Sequence, residues 1–217
     1  MHTDLHEKNT LSYSVREYVI SKILDGTLKE GDKVNEAKLC IDLNLSRSPV
    51  REGIRELIAD GILVNENFKG TSIGQFNDKE LSELNSLRMV LEQLAIDYSV
   101  PRMTQTTRDG FMQIINQMKV AEDNNDSDLL AELDMEFHYH LILQSNSNII
   151  ITTWKRIYTK LRILMKMRLQ WRSPQRQYLN HLNLVHYYSN ENIHLFKEML
   201  VAHEHMGYYS DTAHMKR

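Results

Sequence analysis

Three prolines and eight glycines are all the strong chain-breakers in this 217-residue sequence. An all-β fold needs turn residues every few positions, so their scarcity argues against one and leaves room for long helices. Composition is otherwise that of an ordinary globular chain, 41% hydrophobic and 25% charged. No apolar run approaches the roughly 18 residues needed to cross a membrane. Met1 to Thr10 is polar and mixed in charge, unlike a secretory signal. A lone cysteine, Cys40, excludes an internal disulfide, and a reducing, cytoplasmic setting is the expectation.

From Ser12 to Leu24 the apolar residues Val15, Val19 and Ile23 recur at helical spacing, and Gly26 closes the helix. A short second helix is predicted over Glu36–Leu43, with Asn35 as its N-cap. A third starts in Ser46-Arg47-Ser48-Pro49, where a first-turn proline is tolerated because that N–H would lack a helical partner anyway. It continues through Val50, Ile54, Leu57 and Ile58 and ends at Asp60-Gly61. Two short extended pieces follow, Ile62–Val64 and Thr71–Ile73. Three helices and a small hairpin are the plan of a winged helix-turn-helix.

From Asn77 the pattern is helical almost throughout. Asn77 and Glu80 make a capping-box-like start, and Leu81, Leu84, Leu87, Leu91 and Leu94 read as one face. Further helices are predicted at about 104–122, 127–144, 149–171, 174–188 and 191–207, with Ser173-Pro174 marking the start of the fourth of these. The expected fold is therefore mainly α. A winged helix-turn-helix occupies 12–74, a linker 75–78, and an all-α bundle of about six helices 79–207. A flexible tail at 1–11 and a C-terminal tail at 208–217 flank them.

A net charge of −3 does not advertise a nucleic-acid binder, and residues 1–76 carry ten Lys/Arg against twelve Asp/Glu. DNA binding must rest on where the cations sit. Arg47 and Arg51 fall at the start of the third helix, the part that recognition helices present to base edges. An arginine fork can pair with guanine O6 and N7 together. Ser46, Ser48 and nearby N–H groups suit phosphate oxygens, while Lys69 and Thr71 on the hairpin suit the flanking backbone or minor groove. Solvated charge on a surface helix is the plain alternative.

These residues carry a resemblance. Ser46-Arg-Ser-Pro-Val-Arg-Glu-Gly-Ile-Arg-Glu-Leu, then Asp60-Gly61-Ile-Leu-Val and Lys69-Gly70-Thr71-Ser-Ile73, resemble the signature of GntR-type regulators, and Ile23-Leu24-Asp-Gly26-Thr-Leu-Lys-Glu-Gly31 matches its first helix and turn. The resemblance implies base contacts from Arg47 and Arg51 and places Ser46 and Ser48 at the DNA. Ala37 stands where many relatives have another arginine, so that contact is missing or replaced by Lys38. Gly53 stands where alanine is usual, a change expected to cost the helix about 1 kcal/mol at most.

Ten histidines are more than chance would usually supply. Asp134 and His138 lie four apart, on one face of a predicted helix, beside Leu130, Phe137 and Leu141. An inward aspartate next to an inward histidine needs satisfaction from its neighbour, from water or from a metal. His181 and His203 come from two later helices. Three imidazoles and one carboxylate suit zinc, nickel, manganese or iron, but spacing alone leaves a simple hydrogen-bonded pair open.

Residues 77–207 are similar to the all-helical effector domain of the FadR branch of GntR regulators, through Leu87-Arg88, Leu91-Glu92, Asp134-Met-Glu-Phe137-His138, His181-Leu-Asn-Leu184 and Met199-Leu-Val-Ala-His203. The resemblance implies a divalent metal, zinc first, held by Asp134, His138, His181 and His203. It also implies an effector carboxylate paired with Arg88, for which an Arg88–Glu92 pair across one turn is the alternative. His140, His186 and His205 read as surface or packing residues. The implied function is a non-enzymatic, DNA-binding repressor. Its partners would be a double-stranded inverted-repeat operator, a small organic acid and a second copy in a homodimer, with no membrane. A structural or sensed metal without an acid, and a metal-dependent hydrolase, are the competing readings.

Overall fold

The computed structural model describes residues 11–67, 69–99, 104–168, 177–189 and 193–209. They form α1 (Leu11–Leu24), α2 (Glu36–Leu43), α3 (Arg47–Ala59), β1 (Leu63–Glu66) and β2 (Gly70–Ile73), followed by α4 (Asp78–Ser99), α5 (Gln105–Asp123) and α6 (Ser127–Gln144), then α7 (Asn148–Arg168), α8 (Gln177–Ser189) and α9 (Ile193–Tyr209). The mainly α expectation holds, with three helices and a hairpin first and six helices after them. The predicted helix end at 169–171, the starts at 174–176 and 191–192, and the tail residues 1–10 and 210–217 lie outside the described residues. Among the described residues, no helix is long and apolar enough to cross a membrane.

Two compact units emerge. The first holds the residues up to Leu81 together with Lys155–Arg168 of α7, and the second holds Ser82–Trp154 and the described residues after 168. In the first unit, α1 and α3 bury Val15, Val19, Ile23, Val50, Ile54 and Leu57 against each other. Asn35 caps α2 as expected, its side chain accepting from the N–H groups of Ala37 and Lys38. The hairpin is antiparallel, with Leu63 opposite Ile73 and Glu66 opposite Gly70, and Gly70 takes the positive φ of 79° that its turn requires. A bridge from Lys33 to Ser72 ties the chain before α2 to the wing.

Gly53 corrects an expectation. A Cβ built there would sit 2.8 Å from the Ser12 carbonyl oxygen and 2.8 Å from Val15 Cβ. Glycine is therefore what lets α1 and α3 approach, and its absent side chain is a packing requirement rather than a loss of helix stability. Arg16 reinforces the crossing with an ion pair to Asp60 at 2.8 Å.

In the second unit, α5, α6, α8 and α9 enclose Phe111, Met118, Leu130, Phe137, Leu141, Leu184 and Phe196. α4 departs from its predicted face. Leu81 and Leu91 are buried, but Leu87 and Leu94 are each 40% exposed, alongside Val90 and Tyr98. The inward positions go to Arg88, Glu92, Ala95 and Ser99 instead. Apolar periodicity misassigns this helix because its buried stripe carries polar chemistry.

Candidate functional sites

On the first unit, the start of α3 is exposed at Ser46, Arg47, Ser48 and Arg51. Ser46 is the N-cap residue yet makes no side-chain capping bond, so its hydroxyl is not spent on the helix. Arg51 Nε donates to Glu36 Oε2 on α2 at 3.0 Å, an exposed pair. Lys69, in the hairpin turn, is 72% exposed and pairs with Glu66 at 2.7 Å. Thr71 on β2 is half-buried, and its carbonyl accepts from Val34 N–H at 3.0 Å. Ala37 and Lys38, in the first turn of α2, are exposed.

The second unit brings its predicted site residues together from four helices. Asp134 and His138 come from α6, His181 from α8, His203 from α9 and Arg88 from α4. One ligand atom from each of Asp134, His138, His181 and His203 lies within 4.8 Å of the other three. Asp134 Oδ1 is 3.2 Å from His181 Nε2, 3.7 Å from His203 Nε2 and 3.9 Å from His138 Nε2. The His138 and His203 Nε2 atoms are 3.4 Å apart. Four donors bound at about 2.1 Å to one tetrahedral ion would be roughly 3.4 Å apart, so the spacing fits a shared ion. Arg88 takes the other side of the same carboxylate, with Nη2 3.7 Å from Asp134 Oδ2.

The hydrogen atoms can be assigned from the partners. His181 Nδ1 is 2.9 Å from the Gln177 carbonyl oxygen, which can only accept. That nitrogen carries the hydrogen, and Nε2 presents a lone pair to Asp134. His138 Nδ1 is 2.8 Å from Glu92 Oε2, so the same logic makes its Nε2 a lone pair. His181 Nε2 is buried without a hydrogen-bond partner. The lone pairs of His181 and His138, both turned toward one carboxylate oxygen, are arranged for a cation. The donor set of three imidazoles and one carboxylate fits a divalent metal.

Burial raises the Asp134 carboxyl, and hydrogen-bonding or charged His181, His203 and His138 beside it hold the group well below the usual carboxylate range. With neutral imidazoles turned lone pair inward, that stabilisation falls to a bound cation. Burial and the neighbouring His181 push His203 down to about 4. Burial and the Arg88 charge also lower His138, keeping both imidazoles neutral at pH 7.

Glu92 was visible in the sequence only as a partner for Arg88. It is fully buried, accepts from Arg88 Nε at 2.8 Å and also accepts from His138. The one-turn spacing from Arg88 was a local signal; the contact with His138 spans 46 residues and had none. The other histidines do not join the cluster. His140 packs edge-on against Phe111 with centroids 4.5 Å apart, and His186 is exposed beside Tyr187. The His205 side chain lies outside the described ones.

Comparison with known proteins finds the model "Bacterial regulatory proteins, gntR family" over residues 11–73 and the FCD domain over residues 83–204. The chain is 31% identical over 121 residues to the HTH-type transcriptional regulator YdhC of Bacillus subtilis, covering 55% of this chain and 54% of that one. It is 26% identical over 149 residues to the gluconate operon transcriptional repressor of Bacillus licheniformis, covering 68% of this chain and 61% of the relative. The alignments thus span between half and two thirds of these relatives. A crystal structure of a GntR transcriptional regulator from Rhodococcus sp. RHA1 shares the fold, with a TM-score of 0.77 at 20% identity over 91% of this chain and 95% of that one. With both of its segments matched, the chain belongs to the gntR family of bacterial regulatory proteins and carries an FCD domain after its gntR segment.

Proposed function

We propose that the protein is a DNA-binding transcription repressor whose affinity for an inverted-repeat operator is set by a small carboxylate bound beside a divalent metal. The observation that carries the reading is Asp134, approached by imidazole lone pairs at Oδ1 and by the Arg88 guanidinium at Oδ2. Asp134, His138, His181 and His203 would hold the ion. Zinc suits the donors best, and nickel, manganese and iron are also served. Bound there, the metal supplies a Lewis-acidic position for a carboxylate oxygen. Arg88 supplies charge complementarity and a planar fork of donors for the same group. Arg88, Asp134, His138 and His181 are buried, which limits competition from water.

In the first unit, Arg47 and Arg51 read bases, Ser46 and Ser48 contact phosphates, and Lys69 and Thr71 hold the flanking backbone. Two copies on one palindrome supply the effective concentration that a slightly acidic single head lacks. The exposed stripe of Leu87, Val90, Leu94 and Tyr98 along α4 supports a homodimer, because an apolar row of this kind is uncommon on a surface that stays wet.

Elemental analysis of purified protein, joined to operator titration with candidate acids, tests the reading. Gluconate belongs among those acids because the Bacillus licheniformis relative is named for its operon. Stoichiometric metal and an acid-dependent change in operator affinity are expected. Protein without metal, in which His138→Ala alters neither stability nor acid response, removes the site. One observation favours a second reading, a metal sensed or structural by itself: Arg88 is already engaged by Glu92 and Asp134. Operator binding that answers to zinc and to no acid would select it.

A further inference from the structure

We propose that Glu92 is the positioning residue that couples the metal position to the acid-binding arginine, an inference that rests on the metal-and-acid reading above. Glu92 has 0% exposure, so its two carboxylate oxygens must be satisfied inside the protein. They accept from two different residues on two helices: Oε1 from Arg88 Nε on α4 and Oε2 from His138 Nδ1 on α6, both at 2.8 Å.

Each contact sets one partner. Acceptance from His138 Nδ1 fixes the imidazole tautomer and leaves Nε2 as the lone pair that faces Asp134 and His203. Acceptance from Arg88 Nε, at the side of the guanidinium, turns its Nη1–Nη2 edge toward Met135 Sδ and Asp134 Oδ2. With Nε taken by Glu92, that edge is the one left to grip a carboxylate with two parallel bonds. The ligating nitrogen and the carboxylate-gripping edge therefore converge on Asp134 from opposite sides, and one carboxylate, Glu92, holds both. A shift of either partner is felt by the other through one planar carboxylate, whose two oxygens are two bonds apart.

The isosteric amide cannot reproduce this. Arg88 Nε is always a donor, and His138 must donate from Nδ1 if its Nε2 is to ligate. A glutamine presents one acceptor and one donor end. With NH2 toward His138, the imidazole must move its hydrogen to Nε2, where the metal would bind. With NH2 toward Arg88, two donors face each other and the guanidinium turns away. Glu92→Gln breaks one contact whichever way the amide lies.

The test measures zinc affinity of the full chain with and without saturating acetate, in wild type and in Glu92→Gln. Wild type should bind zinc more tightly in acetate, and by reciprocity acetate more tightly with zinc. In Glu92→Gln, zinc affinity should fall about 10–100-fold, and the acetate factor should collapse to one. An acetate factor equal to that of wild type overturns the proposal. If the variant does not fold, nitrogen-15 chemical shifts of zinc-free wild type decide: His138 should carry its hydrogen on Nδ1, and a hydrogen on Nε2 overturns the role given to Glu92. Wild type that takes up no zinc at all removes the underlying metal reading, an outcome distinct from wild type that binds zinc and a variant that keeps the acetate factor.

Discussion

The two candidate sites handle charge in opposite ways. At the start of α3 and on the wing, Arg51–Glu36 and Lys69–Glu66 are exposed pairs, so each is worth at most about 1 kcal/mol and can be exchanged for a contact with DNA at little cost. In the helical unit, Arg88, Glu92, Asp134, His138 and His181 are all buried, with side-chain exposures of 0% to 6%. Water cannot stand in there for a lost partner. A surface site can thus be altered without touching the fold, whereas in the buried site function and stability are carried by the same bonds. The contrast can be tested on one scale, the change in unfolding free energy per substitution.

The largest change is expected at Arg88. Arg88→Ala removes the cation that two buried carboxylates share, and breaking such a pair on one side costs about 3–5 kcal/mol. Urea denaturation of zinc-free protein should show the loss. The four metal-ligand candidates are untouched, so zinc should still bind while the acid no longer alters operator affinity. A loss below 1 kcal/mol would mean that the buried cluster behaves like a surface one.

Acid should come next. The His203 imidazole takes a proton near pH 6.5 in an unfolded chain but only near 4 in the folded one. Between those values the unfolded state binds more protons, so stability falls as pH falls through the window. At about 1.4 kcal/mol per pH unit, one such group removes at most about 3 kcal/mol. Urea midpoints of chelated protein at pH 7, 5.5 and 4.5 should decline in that order, and His203→Gln should flatten the decline. A flat profile in the unsubstituted chain would contradict the burial of His203.

Gly53 lies between the two extremes: it belongs to the DNA-reading unit but to its core. Helix propensity alone predicts that Gly53→Ala stabilises α3 by about 1 kcal/mol. The contacts at 2.8 Å predict the opposite sign, a loss of about 1–3 kcal/mol through overpacking against Ser12 and Val15. A thermal melt gives the sign directly. A rise in Tm would mean that α1 moves aside at little cost.

Gly53 also shows where reading the sequence ends. Local chemistry was legible: Asn35 capped α2, and α6 runs from Ser127 to Gln144 over the span its pattern gives. Asp134 and His138 share a helix face by spacing alone, and resemblance supplied His181 and His203. Properties of helix pairs were not legible. The close approach at Gly53 depends on α1, and the bond from Glu92 to His138 depends on α4 meeting α6. Leu87 and Leu94 share a face with Leu81 and Leu91 by spacing, yet they are exposed where those two are buried. Arg88 and Glu92, whose one-turn spacing suggested only a local pair, hold that interior instead.

The smallest effect on stability is expected at Arg51, and there the contrast becomes sharpest. Arg51→Ala loses one exposed pair with Glu36, so unfolding should change by less than about 0.5 kcal/mol. If its guanidinium reads a base, the same substitution should weaken operator binding by about 1–3 kcal/mol and leave random duplex nearly unchanged. Lys69→Ala, removing a charge that is 72% exposed, should instead weaken both DNAs alike and lower the salt slope by about one ion. Glu36→Gln adds a third arm. It releases Arg51 from its resting partner without removing the arginine, so operator binding should hold or tighten. Competition binding at two salt concentrations separates these outcomes. Equal losses on operator and random DNA for Arg51→Ala would reduce Arg51 to a phosphate contact and leave base reading to Arg47. A loss of stability as large as that at Arg88 would erase the distinction between exchangeable surface charge and committed buried charge.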